Sequence, residues 1–287
     1  VVILLACVLL ALAVVALGWP GATGGRLVVG LTLTALGVAW LGAAIDGRAV
    51  GVAAVWFALV GWWARDGDGP RWRRAVAALA VLAGAAGLMA HAWPGFANPR
   101  VIDAVRFTPD AVPFSLYVNF DKTLIALALL GLAHPRAGTW AEWRAIGGAV
   151  GRAAPLVLAV VLAGSFALGY VRWAPKWPAE APLWLAVNLL FTCTAEEALF
   201  RGFVQGGLRR AWAERRGGKW AALAVGAVLF GVAHAAGGWK YVALATLAGA
   251  GYGWVYERTQ RVEASVLLHW ALNATHFFLF TYPALAR

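Results

Sequence analysis

Charge is scarce in this sequence, and acidic charge scarcest: 13 Asp and Glu stand against 24 Lys and Arg, and only 13% of the residues are charged while 62% are hydrophobic. A soluble domain carries about 25% charged residues, so this balance excludes an ordinary water-soluble fold. Cysteine is nearly absent. Cys7 and Cys193 both lie within apolar runs and neither belongs to a Cys-x-x-Cys pair, which excludes a disulfide framework and a cysteine metal centre and leaves buried, inert thiols. There is no His-Glu-x-x-His, so the two-histidine helix of many zinc peptidases is missing. No internal repeat is evident, and the Ala/Gly/Leu/Val bias is that of a membrane protein. The net charge of +11 would suggest nucleic acid in a soluble chain. Here the basic residues cluster in short connections between apolar runs, so positive-inside topology accounts for them and no nucleic-acid partner is expected.

Those apolar runs define the fold class. Several approach or exceed the roughly 18 residues that mark a membrane-spanning helix. Many of the 17 Trp, among them Trp19, Trp62, Trp63, Trp72, Trp93, Trp173, Trp177 and Trp239, sit near their ends, where interfacial belts form. Val1–Gly18 lacks a basic leader and a small-x-small cleavage site, so it is expected to be a retained helix. Further spans are expected at Leu27–Ile45, Ala49–Ala64, Ala75–Trp93, a shorter stretch ending at Ala133, Pro155–Arg172, Pro182–Trp212, Lys219–Gly237, Tyr241–Tyr256 and Ala264–Thr281. The expectation is an all-α polytopic bundle of about ten spans in the inner (plasma) membrane, with its catalytic core in the C-terminal half. Three parts are expected: N-terminal helices over 1–93, a Pro-containing polar loop or interfacial segment over 94–121, and a second set of helices over 122–287 that holds the buried polar groups. Placing the four-arginine link Arg65–Arg74 in the cytoplasm puts the basic links His134–Arg152, Arg209–Lys219 and Glu257–Glu263 on the same side by strict alternation.

The polar residues inside the apolar runs are the candidates for chemistry, because ionisable groups at bilayer depth mark function by default. Glu196 lies fourteen residues beyond Pro182, roughly 20 Å along a helix, well inside a hydrocarbon layer of about 30 Å. Glu197 and Arg201, four residues apart, share a helix face and can neutralise each other. Glu196 points elsewhere and needs polar surroundings of its own. Phe230 and His234, and likewise His269 and Asn273, are also four residues apart, so each pair shares a face. One carboxylate, two imidazoles and one carboxamide on three spans are the groups needed to deprotonate a water and stabilise an oxyanion. A lone buried histidine is more often a hydrogen-bonded packing residue; the set is harder to explain that way. The remaining polar and small residues take structural readings: His276, one turn beyond Asn273 on roughly the same face, as a packing residue rather than a second layer of the site, Asp121–Lys122 as an interfacial pair, and Gly249, Gly251 and Gly253 as sites of close helix approach.

In this order the blocks Glu196-Glu197-x-x-x-Arg201, Phe230-x-x-x-His234 and His269-x-x-x-Asn273 resemble the CPBP family of intramembrane endopeptidases, which includes type II CAAX prenyl proteases and bacterial proteins linked to bacteriocin processing and self-immunity. The resemblance covers roughly Pro182 to Tyr282. It implies that Glu196 is the general base, that His234 and His269 position the water or the scissile carbonyl, that Asn273 donates to the oxyanion, and that Glu197, Arg201 and Phe230 are structural support. The implied partner is a peptide or protein substrate in or at the lipid bilayer. Zinc held by His234, His269 and Glu196 is chemically reasonable, but the resemblance to type II prenyl proteases points to a glutamate mechanism without metal, hence no cofactor. Two other functions fit the same buried groups: a proton-coupled secondary transporter using the carboxylates, and a non-catalytic membrane scaffold. One difficulty stands. With straight helices and these boundaries, His234 falls near the non-cytoplasmic end of its span and His269 near the cytoplasmic end of its own, too far apart to cooperate.

Overall fold

The computed structural model describes residues 1–19, 21–66 and 69–286; Gly67 and Asp68 of the arginine-rich link lie outside the described residues. The described residues are mostly helical, with ten helices among them. They are α1 Val2–Ala16, α2 Gly21–Leu41, α3 Gly47–Arg65, α4 Arg71–Met89, α5 Phe120–Leu132, α6 Trp140–Ala167, α7 Ala181–Ala211, α8 Gly218–Val232, α9 Trp239–Thr259 and α10 Val262–Leu279. Among the described residues five of these, α2, α3, α4, α6 and α7, are long and apolar enough to cross a membrane, and α1 and α8 are shorter apolar helices. The chain is a multi-pass membrane protein. Fewer than ten helices are long and apolar enough because α1, α5 and α8 have 15, 13 and 15 residues, and because polar groups such as Glu257, Arg258, Glu263, His269 and Asn273 lie in α9 and α10.

Strands also occur. Strand β1, Arg100–Val105, pairs with β2, Phe114–Tyr117, inside the segment expected to be loop or interfacial, so the chain is not all-α. The β-branched and aromatic residues of Val101-Ile102 and Phe114-Ser-Leu-Tyr117 favour extension, and Pro109 and Pro113 fall in the connection rather than in a ladder.

The chain divides into two compact units. The first comprises Val1–Pro99, Tyr117–Gly138 and Leu190–Leu199. At its centre is α5, buried on every side along most of Phe120 to Leu130, as a helix apolar all round should be. Trp56 of α3 donates its indole Nε1–H to the Leu124 carbonyl at 2.9 Å. The start of α5 is held by a polar cluster: the Asp121 carboxylate takes His91 Nδ1 at 2.7 Å and Asn98 Nδ2 at 3.0 Å, while Asn98 Oδ1 accepts the Phe120 amide at 2.8 Å. Asp121 is therefore a buried staple to the preceding loop, not half of an interfacial pair with Lys122. Asp46 caps α3, accepting the Arg48 and Ala49 amides at 2.8 and 3.3 Å. The arginine hydrogen bond beside it holds its carboxyl below the usual carboxylate range.

The second unit comprises Arg100–Leu116, Thr139–Leu189 and Phe200–Arg287. Its α6 starts fifteen residues before Pro155, the residue at which the sequence suggested a start. Thr139 and Glu142 form a capping box, which satisfies the first-turn amides and contributes about 1 kcal/mol. Pro155 lies within the helix. At one end of this unit, ion pairs join Arg209 to Glu257 at 3.1 Å and Arg261 to Glu142. The other end is closed by backbone pairing of the C-terminal tail, with Thr281 N donating to Arg172 O at 2.9 Å, Val112 N to Ala284 O at 3.0 Å and Ala286 N to Asp110 O at 2.8 Å. Beneath this pairing the Trp184 and Phe277 rings stack at 4.2 Å, and Trp184 donates to the Tyr282 hydroxyl at 3.2 Å.

Candidate functional site

Helix α7 carries the carboxylates, and it is not a uniform α-helix. π-Helical turns at Asn188–Cys193 and Ala198–Gln205 flank the α-helical turn Thr194–Glu197. Such insertions concentrate at functional sites, because the wider turn re-aims side chains and loosens the regular carbonyl ladder. The turn bearing Glu196 and Glu197 belongs to the first unit, where it packs on α5. Glu196 is 7% exposed and Glu197 fully buried.

Arg201, fully buried, belongs to the second unit. Its guanidinium carbon lies 5.1 Å from the centre of the Phe230 ring and 5.8 Å from that of Tyr252, so two aromatic faces share the cation. Four residues on, Gln205 donates Nε2 to the Gly253 carbonyl at 3.0 Å and to Glu257 Oε1 at 3.1 Å, and Arg209 donates to the other Glu257 oxygen at 3.1 Å. Residues 197, 201, 205 and 209 thus repeat at the helical interval, and the last three form a polar seam against α9. Gln205, Arg209 and Glu257 were not among the predicted residues, although the series from Glu197 onward was readable in the sequence.

His234 lies just beyond α8, at the start of a 3-10 turn over Ala235–Gly237. Its Nδ1 is 2.7 Å from the Phe230 carbonyl oxygen. A carbonyl only accepts, so Nδ1 carries a proton, which in the neutral tautomer leaves the lone pair on Nε2. The Phe230 ring lies 4.7 Å from the His234 ring and 5.6 Å from the His269 ring. Both imidazoles therefore flank one phenyl group, and the depth conflict disappears. The expectation rested on straight helices with the predicted boundaries; α8 ends at Val232, short of the expected Gly237, and His234 lies in the turn beyond it.

His269 is 4% exposed and stacks on Tyr252 at 4.6 Å with 16° between the rings. One turn later Asn273 donates Nδ2 to Asn188 Oδ1 at 3.3 Å. Asn188, 6% exposed, is a further polar residue that the sequence reading passed over. His276 donates Nε2–H to the Thr281 carbonyl at 3.1 Å and meets the Tyr282 ring at 5.1 Å, so it belongs to the end closure rather than to the Asn273 group. Beyond Asn273, an open groove of about 430 Å³ is bounded by Ala274, Thr275 and Phe278 of α10 and by Lys176 and Trp177. Lys176, half-buried in the link between α6 and α7, is pushed down to about 8 by desolvation, partly opposed by Asp110.

Among the described residues no group of three or more His, Cys, Asp or Glu side chains that could hold a metal ion occurs.

Carboxylates, imidazoles and carboxamides buried along the C-terminal helices of a multi-pass chain mark a functional site. Residues 177–275 match the family model described as "Type II CAAX prenyl endopeptidase Rce1-like". The match covers roughly a third of the chain and contains Glu196, Glu197, Arg201, Phe230, His234, His269 and Asn273. No curated protein and no solved structure matches the chain.

Proposed function

We propose that this protein is an intramembrane endopeptidase that hydrolyses a peptide bond of a membrane-associated substrate, prenylated or bacteriocin-like, through a glutamate-activated water. The observation that carries the reading is the family match over 177–275, within which both histidines are drawn to one phenyl ring. Glu196 takes a proton from water as the water oxygen bonds to the scissile carbonyl carbon. His234, through Nε2, and His269 hold the water and the carbonyl. The oxyanion accepts from Asn273, whose carboxamide orientation is fixed by Asn188. Collapse breaks the C–N bond, and Glu196 returns its proton to the leaving amine, so the carboxylate is regenerated. Glu197 and Arg201 support the helix. In this reading the chain crosses the membrane ten times, with Arg65–Arg74 on the cytoplasmic side, and 122–287 forms the catalytic domain.

The test is hydrolysis by the purified full chain in liposomes of a farnesylated peptide with a CAAX tail and of its unprenylated counterpart, with products identified by mass spectrometry. Cleavage by the wild type and none by Glu196→Gln supports the reading; equal cleavage by both contradicts it.

A further inference from the structure

We propose that Tyr252 is a positioning residue for His269, its phenol ring setting the plane of the imidazole in the reaction. This rests on the reading of His269 as part of a peptidase site. Tyr252 is 1% exposed, and its ring lies nearly parallel to the His269 ring at 4.6 Å and 16°. The Phe230 ring closes a second side, edge-on to His269 at 5.6 Å and 84° and edge-on to Tyr252 at 5.8 Å and 85°. With one ring stacked on its face and another at its edge, the imidazole is left little torsional freedom. That matters because a reacting group misplaced by about 1 Å can cost on the order of 10²-fold in rate.

The backbone under Tyr252 is fixed at three points. A Cβ on Gly251 would stand 2.7 Å from Val157 Cγ1 of α6, and a Cβ on Gly253 would stand 2.7 Å from Gln205 Oε1. Neither position admits a side chain without a shift, so α9 approaches its neighbours at both glycines and is registered against them. The third point ties α9 to the helix that carries His269. The buried Ser265 hydroxyl donates to the Tyr252 carbonyl at 2.9 Å, and Ser265 lies four residues before His269 on the same face of α10. The same residue thus receives its main-chain restraint from α10 and returns a side-chain restraint to it. Arg201, over both Tyr252 and Phe230, adds a cation that holds the two rings together.

The test compares Tyr252→Phe, which keeps the ring, with Tyr252→Leu, which removes it, in the full chain purified into liposomes, all rates normalised to folded protein. On the farnesylated CAAX peptide, Tyr252→Leu should lose about 10²-fold in kcat with KM unchanged, and Tyr252→Phe, which keeps the ring stacked on His269, should lose far less. A role in packing alone would lower the folded fraction and leave the normalised kcat where it was; that result overturns the proposal, as does an equal loss in Tyr252→Phe. A second readout needs no substrate. In protein labelled with ¹³C only in its five histidines, the His269 ring signals should keep their ring-current shift in Tyr252→Phe and lose it, with broadening, in Tyr252→Leu. If the wild type cleaves nothing, the peptidase reading fails, and these spectra alone decide whether Tyr252 positions His269. Unchanged His269 signals in Tyr252→Leu overturn it.

Discussion

Gly251→Ala is the perturbation whose outcome depends most directly on the packing that registers α9. The added methyl would lie 2.7 and 2.8 Å from the two methyl carbons of Val157, against a preferred carbon separation of about 3.5–4.0 Å. Valine in a helix is confined largely to one χ1 rotamer, so it cannot swing aside, and the helices must part by roughly 1 Å. Overpacking of this kind costs about 1–3 kcal/mol, while alanine gains about 0.8–1.0 kcal/mol of helix propensity over glycine. The expected net loss is therefore up to about 2 kcal/mol. Val157→Ala alone deletes two methyl groups from a site only 7% exposed, a loss of about 1–3 kcal/mol on the scale of about 0.5–1.5 per methyl. In the double variant the methyl group introduced by Gly251→Ala enters the space vacated by Val157. The two losses should then fall short of additivity by about 1–3 kcal/mol. Midpoints of SDS-induced unfolding, followed by tryptophan fluorescence, give the cycle. If Gly251→Ala is more stable than wild type and the double variant is additive, α9 and α6 do not meet at Gly251, and the register assigned to Tyr252 is wrong.

The two glutamates should part in their effects. Glu196→Gln should fold normally and lose about 10²–10⁴ in rate, measured as normalised peptide hydrolysis. On the proposed pairing of Glu197 with Arg201, Glu197→Gln should show first as reduced folded yield, a loss of about 3–5 kcal/mol, and adding Arg201→Met should recover much of it; a stable, inactive Glu197→Gln would reverse the two roles. A strong chelator should leave hydrolysis unchanged, whereas loss of activity restored by zinc alone would establish a metal mechanism. Lys176, held at about 8 when folded and near 10.4 when unfolded, binds fewer protons in the folded state between those values, so its desolvation penalty is present below pH 8 and is relieved as pH rises through that window. Wild type minus Lys176→Met should therefore show relative stability rising between pH 8 and about 10; a flat difference would place the ammonium in solvent.

The candidate residues were legible in the sequence because polar residues inside apolar runs have few structural explanations. Glu196, His234, His269 and Asn273 were singled out on that ground and on their four-residue spacings. What escaped was geometry that leaves no compositional trace. The π-helical turns around Thr194–Glu197 depend on an i→i+5 ladder that no residue type signals. Tyr252 and Asn188 carried no signal of their own in the sequence, because their contacts come from other helices. The glycines beside Tyr252 were read as generic small-residue packing, whereas each meets a different neighbour. Pro155 misled by its usual meaning: the start of α6 was written earlier, in the Thr139–Glu142 capping box. The hairpin at β1 and β2 was hidden by its prolines and charges, which outweighed short runs of strand-forming residues.

The most direct measurement is the membrane proteome of a strain carrying Glu196→Gln against its parent, read for precursors that persist and for their new termini. The expected result is at least one membrane-associated precursor uncleaved in Glu196→Gln, whose cleavage returns when the wild-type chain is restored. Identical proteomes, with the variant chain present at normal abundance, would contradict peptidase action through Glu196.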